Sequence, residues 1–307
     1  MTPRDEDQVV FFESSRFADP ETFRGASAGR VGKRHRPTTS LLAAAAAGVL
    51  TLAACAAPGE EASVLEGDTI TIGVKFDQPG LGLAEDGEFA GFDVDVAHYL
   101  AGEMGFDRED VEVAGVTSVE REDKIIGGEV DMVVATYSIT PERKTEVTFG
   151  GPYYVAKQDI LVSADDTDTE TVRDLEGLDV CQGEGSNSAS RITDGLGIDA
   201  TVSDAPSYSH CIDWLGDGRA DAVSTDNLIL AGFLAEDPSA YRFVNYPFTD
   251  EKYGVGLPYG DVEACEAVNK AINRMYQDGT AGELLEEWFG STDLELVRTV
   301  PQFEGCN

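Results

Sequence analysis

The sequence predicts an α/β fold made of two similar units, and three observations carry that prediction. Short β-rich runs alternate with helical stretches from Asp68 onward, the pattern of strands joined by helices in a mainly parallel sheet. The segment Gly128-Glu129-Val130-Asp131-Met132-Val133-Val134-Ala135-Thr136 is echoed by Gly218-Arg219-Ala220-Asp221-Ala222-Val223-Ser224-Thr225-Asp226. In both, a glycine turn leads an apolar strand into hydroxyl or carboxyl groups, at the strand end where open α/β sheets hold ligands.

The elements follow in order. Residues 31–55 open on the basic Lys33, Arg34 and Arg36, continue through the uncharged run Leu41–Ala54 and end at Cys55. An apolar run of about 14 residues falls short of the roughly 20 that span a bilayer, so residues 1–54 read as a signal peptide with a long N-terminal lead. Leu52-Ala53-Ala54-Cys55 resembles the bacterial lipobox, which implies a lipid on Cys55 and residues 55–67 as its tether.

Thr69–Val74 is β-branched and alternating, hence a strand. A helix opens near Phe92, with Asp93 as a candidate N-cap and apolar residues at 96, 99, 100 and 104. Asp110–Ala114 and Val130–Ala135 read as strands around a helix over Glu120–Ile126. Leu178–Cys181 opens the second unit, Tyr241–Val244 is strand-like, and Lys252–Pro258 returns toward the first. Helices are expected over Glu263–Tyr276 and Glu283–Phe289. This gives one lobe from 68–155 and 247–307, a second from 156–246, and a hinge of two crossovers with a cleft between the lobes.

A net charge of −36, from 58 acidic and 22 basic residues, argues against nucleic acid and anionic lipid surfaces as partners. It also means that an anionic ligand needs local positive charge. Export fits the cysteines: beyond Cys55 there remain Cys181, Cys211, Cys265 and Cys306, an even number in a disulfide-permissive compartment. Of three possible pairings, 181–211 and 265–306 are favoured because each closes a loop within one region.

Nothing in the chain asks for catalysis. There is no Gly-x-Ser-x-Gly elbow, His-Glu-x-x-His or P-loop, and no metal or cofactor motif. Binding is better supported. Thr136-Tyr137-Ser138-Ile139-Thr140-Pro141-Glu142-Arg143 places hydroxyls at a strand end, with an arginine able to clamp a carboxylate. The plainer alternative is that Ser138 or Thr140 caps a helix and Arg143 makes a surface ion pair.

That segment, together with Gly91-Phe92-Asp93-Val94-Asp95 and Val147-Thr148-Phe149-Gly150-Gly151-Pro152-Tyr153-Tyr154, resembles the polar amino-acid-binding proteins of ABC importers, from about Asp68 to Phe289. The resemblance implies a type II periplasmic-binding-protein fold and an extracytoplasmic monomer delivering an amino acid to membrane permease subunits. It assigns the ligand α-carboxylate to Thr136, Ser138 and Arg143, and the second-lobe contacts to Ser186, Asn187 and Asp226. Asp226 would meet the α-ammonium; its alternative role is to cap the helix from Asn227.

Lys75 stands where relatives with basic ligands carry an acid, and Arg121 where glutamate- or aspartate-binding relatives contact the distal carboxylate. The resemblance is to glutamate-binding lipoproteins of actinobacterial type, with aspartate, glutamine and asparagine as alternatives if these cations point outward. An enzyme such as a dehydratase on the same scaffold is the competing class.

Overall fold

The computed structural model describes residues 62–306. Cys55, the expected signal peptide and the first part of the tether lie outside the described residues.

Strand β1 (Ile70–Val74) leads into three short strands, β2 (Asp77–Gln78), β3 (Gly82–Glu85) and β4 (Glu88–Ala90), which form a small antiparallel sheet of their own. Helix α1 (Phe92–Met104) follows. Its cap is Gly91 at φ 139°, where a Cβ would lie 2.1 Å from the Leu81 carbonyl oxygen, so only glycine fits. Asp93 is thus not the cap expected from sequence; it sits fully buried in the first turn. Phe92, Val96, Ala97, Leu100 and Ala101 make the buried stripe of α1 at helical spacing.

Next come β5 (Val111–Gly115), α2 (Arg121–Ile126), β6 (Met132–Val133) and the 16-residue β7 (Thr148–Ser163). The second repeat unit holds β8 (Asp179–Gly183), α3 (Ser188–Ser190), β9 (Thr201–Ala205), α4 (Tyr208–Gly216), β10 (Ala222–Asp226) and α5 (Asn227–Glu236). Strands β11 (Tyr241–Phe243) and β12 (Thr249–Leu257) precede the closing helices α6 (Val262–Gln277) and α7 (Thr280–Phe289).

The main sheet runs β5-β1-β6-β12-β7-β10-β8-β9, with β11 also on β7. It is mixed rather than mainly parallel. Pairing is parallel within each outer group, β5-β1-β6 and β10-β8-β9, and antiparallel where β12 and β7 join them. The chain passes from the first group to the second along β7 and returns along β12, so two strands link the groups. Ile70, Ile72 and Val74 on β1 are fully buried, each contributing about 1.5–3 kcal/mol of hydrophobic stabilisation, as expected of a strand flanked on both sides.

The sequence echo is a structural repeat down to its hydrogen bonds. Asp131 takes the Thr71 N–H on its carboxylate at 2.7 Å, and Asp221 takes the Asp179 N–H at 2.8 Å. Each aspartate also donates its own N–H back to the same residue's carbonyl at 2.8 Å. Both turns use a left-handed glycine, Gly128 at φ 65° and Gly218 at φ 69°.

Disulfides join Cys181 to Cys211, stapling β8 to α4, and Cys265 to Cys306, tying α6 to the C-terminal segment.

Candidate ligand-binding site

The carboxyl ends of β6 and β10, the loop after β8 and the first turn of α4 converge on one small cavity. Seven of the eight residues expected from sequence line it: Arg121, Thr136, Ser138, Arg143, Ser186, Asn187 and Asp226. Ser118, Ser188, Tyr208, Thr225 and Ile229 complete the wall. Lys75 lies one layer behind, donating from Nζ to the Ser118 hydroxyl at 2.7 Å. The free space is about 20 Å³, close to that of a single water, so the two walls are closed on each other. A Cβ on Gly185 would sit 2.5 Å from the Val119 Cα. An amino acid enters only if these walls part.

Thr136 follows β6 with φ 45°, a left-handed conformation that a β-branched residue adopts only under constraint. The constraint is Asp93. Its carboxylate accepts the Thr136 N–H at 2.8 Å and the Tyr153 hydroxyl at 2.8 Å. Burial raises Asp93 to about 7, while the hydrogen bonds from Tyr153 and Thr136 act in the other direction. The Thr136 hydroxyl donates to Gln78 Oε1 at 3.2 Å.

Arg121 is buried at the start of α2. Its Nε donates to the Ser118 carbonyl at 3.1 Å and its Nη1 to the Ala135 carbonyl at 3.1 Å. Burial, then the neighbouring Arg143, lowers it to about 10. Burial and then Arg121 push the Lys75 ammonium well below the usual lysine range. Among the described residues neither cation has a carboxylate within 4 Å.

Arg143 donates to the Ser138 carbonyl at 2.8 Å and, across the cavity, to the Gly185 carbonyl at 2.9 Å. Its Nε lies 3.3 Å from Glu122 Oε1. The surface ion pair considered from sequence therefore exists, but its guanidinium lines the cavity instead of facing solvent. Arg121 and Arg143 both stand over the Tyr137 ring, at 4.2 and 5.2 Å from its centroid, so one aromatic ring steadies two like charges. Tyr137 is itself wedged edge-on against Phe149 at 4.7 Å.

On the opposite wall the Ser186 and Ser188 hydroxyls meet Tyr208 OH at 2.7 and 3.0 Å. Asp226 occupies the N-cap position of α5, yet its side chain makes no capping hydrogen bond and lines the cavity. Burial, and then the nearby Glu251, raise its carboxyl to about 7. Tyr253 OH has no partner in hydrogen-bonding geometry, although it is near enough to Asp226 to favour the carboxylate. The cavity thus has a cationic wall and one buried carboxyl facing it, the complement of an amino acid with its own charges separated.

A larger groove, about 420 Å³, runs between α5 and residues 291–294. Its only ionisable lining residue is Asp293, so it has no cation to meet a carboxylate.

Sequence reasoning missed Asp93, Ser118, Ser188, Tyr208 and Thr225. Thr225 was visible in the echo one position before Asp226, and Tyr208 opens a helix in which it reads as core.

Residues 70–291 match the bacterial extracellular solute-binding proteins, family 3. The chain is 41% identical over 281 residues to glutamate-binding protein GluB of Corynebacterium efficiens, covering 86% of this chain and 95% of that one. It is 32% identical to the ABC transporter glutamine-binding protein GlnH of Bacillus subtilis, over 78% of this chain and 92% of the relative. Among solved structures, an ancestral arginine-binding protein bound to arginine superposes with a TM-score of 0.67 at 30% identity, covering 73% of this chain and 99% of that one. With the strand order, the two linking strands and the enclosed polar cavity, these matches make the chain a member of the bacterial extracellular solute-binding proteins, family 3.

Proposed function

We propose that this protein is the extracytoplasmic receptor of an amino-acid ABC importer and that its ligand is glutamate. The observation that carries the choice of ligand is the pair Lys75 and Arg121: two buried cations, meeting at Ser118, with no carboxylate among the described residues in ion-pair contact with either. Buried charge without a partner is costly, and a ligand's distal carboxylate relieves that cost. Glutamine, lacking that charge, would leave both cations uncompensated. The name of the Corynebacterium relative points the same way.

In this reading Thr136, Ser138 and Arg143 hold the α-carboxylate, and Asp226 with Ser186 and Asn187 holds the α-ammonium. The strand groups linked by β7 and β12 act as two lobes, 68–155 with 247–307 and 156–246, that close over the ligand. A lipid on Cys55 keeps the receptor at the membrane beside its permease, and the receptor performs no chemistry.

The test is a thermal-shift panel of glutamate, aspartate, glutamine, asparagine, arginine and histidine on the purified protein. Glutamate is expected to give the largest rise in Tm. A larger rise with arginine or glutamine would remove glutamate as the ligand, and turnover of any bound amino acid would remove the receptor reading.

A further inference from the structure

Outside the ligand cavity, one polar contact spans the two walls at the rim. Ser209 Oγ donates to Asp77 Oδ2 at 2.8 Å, joining β2 to the first turn of α4. Both residues are half-buried, and neither lines the cavity. We propose that Asp77 and Ser209 form a closing latch that sets how long a ligand is held. This rests on the receptor reading above.

The mounting on each side favours such a role. Asp77 lies between Lys75, which reaches the cavity wall through Ser118, and Gln78, which accepts the Thr136 hydroxyl. Ser209 adjoins Tyr208, whose hydroxyl meets Ser186 and Ser188 in the opposite wall. Two residues on, the Cys181–Cys211 disulfide fixes α4 to β8. Pulling Asp77 onto Ser209 therefore draws two ligand-bearing segments together through stiff connections.

The hydroxyls at the start of α4 are also arranged for this contact. Ser207 holds the N-cap position, but its side chain makes no capping hydrogen bond. It meets the Ser209 hydroxyl at 2.8 Å and His210 Nδ1 at 3.0 Å instead, leaving Ser209 oriented toward Asp77. A carboxylate at the N-terminal turn of a helix is additionally favoured by the helix dipole.

Asp77 and Ser209 are positioning residues, so their effect belongs to dissociation more than to association. Asp77 also bears on the charge of Lys75, which makes the single Asp77 variant ambiguous. A double-mutant cycle removes the ambiguity. Glutamate binding and release are measured by stopped-flow for the wild type, Ser209→Ala, Asp77→Ala and the double variant, with Ser209→Thr as the conservative control. Ser209→Ala is expected to speed release by about 5- to 10-fold, the net scale of one typical half-buried hydrogen bond, with association nearly unchanged. The hydroxyl-bearing Ser209→Thr is expected to stay near wild type, and in the Asp77→Ala background the serine change is expected to have no effect. Equal effects of Ser209→Ala in both backgrounds, or none in either, would overturn the latch. If the wild type takes up no glutamate, the glutamate reading fails separately. The same cycle is then read by X-ray scattering of the unliganded proteins, where a latch requires Ser209→Ala to enlarge the radius of gyration only when Asp77 is present.

Discussion

Lys75 and Ser118 are joined by a 2.7 Å hydrogen bond, and through it a fully enclosed lysine reaches the wall of the ligand cavity. The lysine's charge is opposed by burial and by Arg121, with Asp77 acting against them. An ammonium in such a place is costly in the empty protein, and in the proposed reading a ligand anion offsets that cost. Lys75→Met keeps the length and removes the charge. We expect it to raise the stability of the ligand-free protein by about 1–3 kcal/mol while lowering glutamate affinity at least about tenfold. Urea unfolding and calorimetry on the same samples check both halves.

Asp226 makes both stability and binding depend on pH. Its carboxyl is raised to about 7, so below that pH the empty site holds a proton that the unfolded chain would already have lost. Stability contributed by this group therefore declines as pH rises from about 4 to 7. A ligand ammonium needs the ionised form, so binding below pH 7 releases a proton and affinity falls by up to about tenfold per pH unit. Calorimetry at pH 6 in buffers of different ionisation enthalpy is expected to report proton release, and Asp226→Asn to abolish it.

Thr136 supplies a test of backbone strain. Its φ of 45° suits glycine and penalises other residues. Thr136→Gly is expected to be more stable than Thr136→Ala by about 1 kcal/mol, the reverse of the usual order in regular structure. Both variants lose the hydroxyl and should bind glutamate more weakly. Denaturant midpoints of the two variants decide the matter.

The Cys181–Cys211 bridge closes a loop with a sequence separation of 30. Replacing both cysteines by alanine is expected to cost about 3 kcal/mol of stability, on the scale of loop closure in the unfolded chain. Because α4 carries Tyr208, glutamate dissociation should quicken as well. Thermal unfolding and release kinetics of the double variant measure the two effects.

How much of this was legible in the sequence depends on the range over which each feature is set. The echo of Gly128–Thr136 in Gly218–Asp226 exposed the repeat, because a glycine turn and an aspartate gripping the neighbouring strand are local chemistry. The same reading set the polar groups at strand ends. The length of β7 was hidden, since Gly150-Gly151-Pro152 reads as an interruption; the strand continues past it, with its register against β12 shifting there between Val255↔Gly150 and Tyr253↔Tyr154. The small sheet β2-β3-β4 was missed because its strands are too short to show alternation. Asp93 reads as a cap from its place near a helix start; its carboxylate turns to Thr136 and Tyr153, partners far away in sequence. Tyr137 reads as an ordinary core aromatic, and only the folded chain sets Arg121 and Arg143 over its face. The pairing of Arg143 with Glu122 was equally invisible.

The claim that two buried cations select an acidic side chain is tested most directly by titrating glutamate and glutamine calorimetrically into the wild type and Lys75→Met at pH 7.5. The wild type is expected to prefer glutamate by about a hundredfold or more, and Lys75→Met to lose most of that preference without tightening arginine binding. Equal affinities for glutamate and glutamine in the wild type, or a preference that survives intact in Lys75→Met, would contradict it.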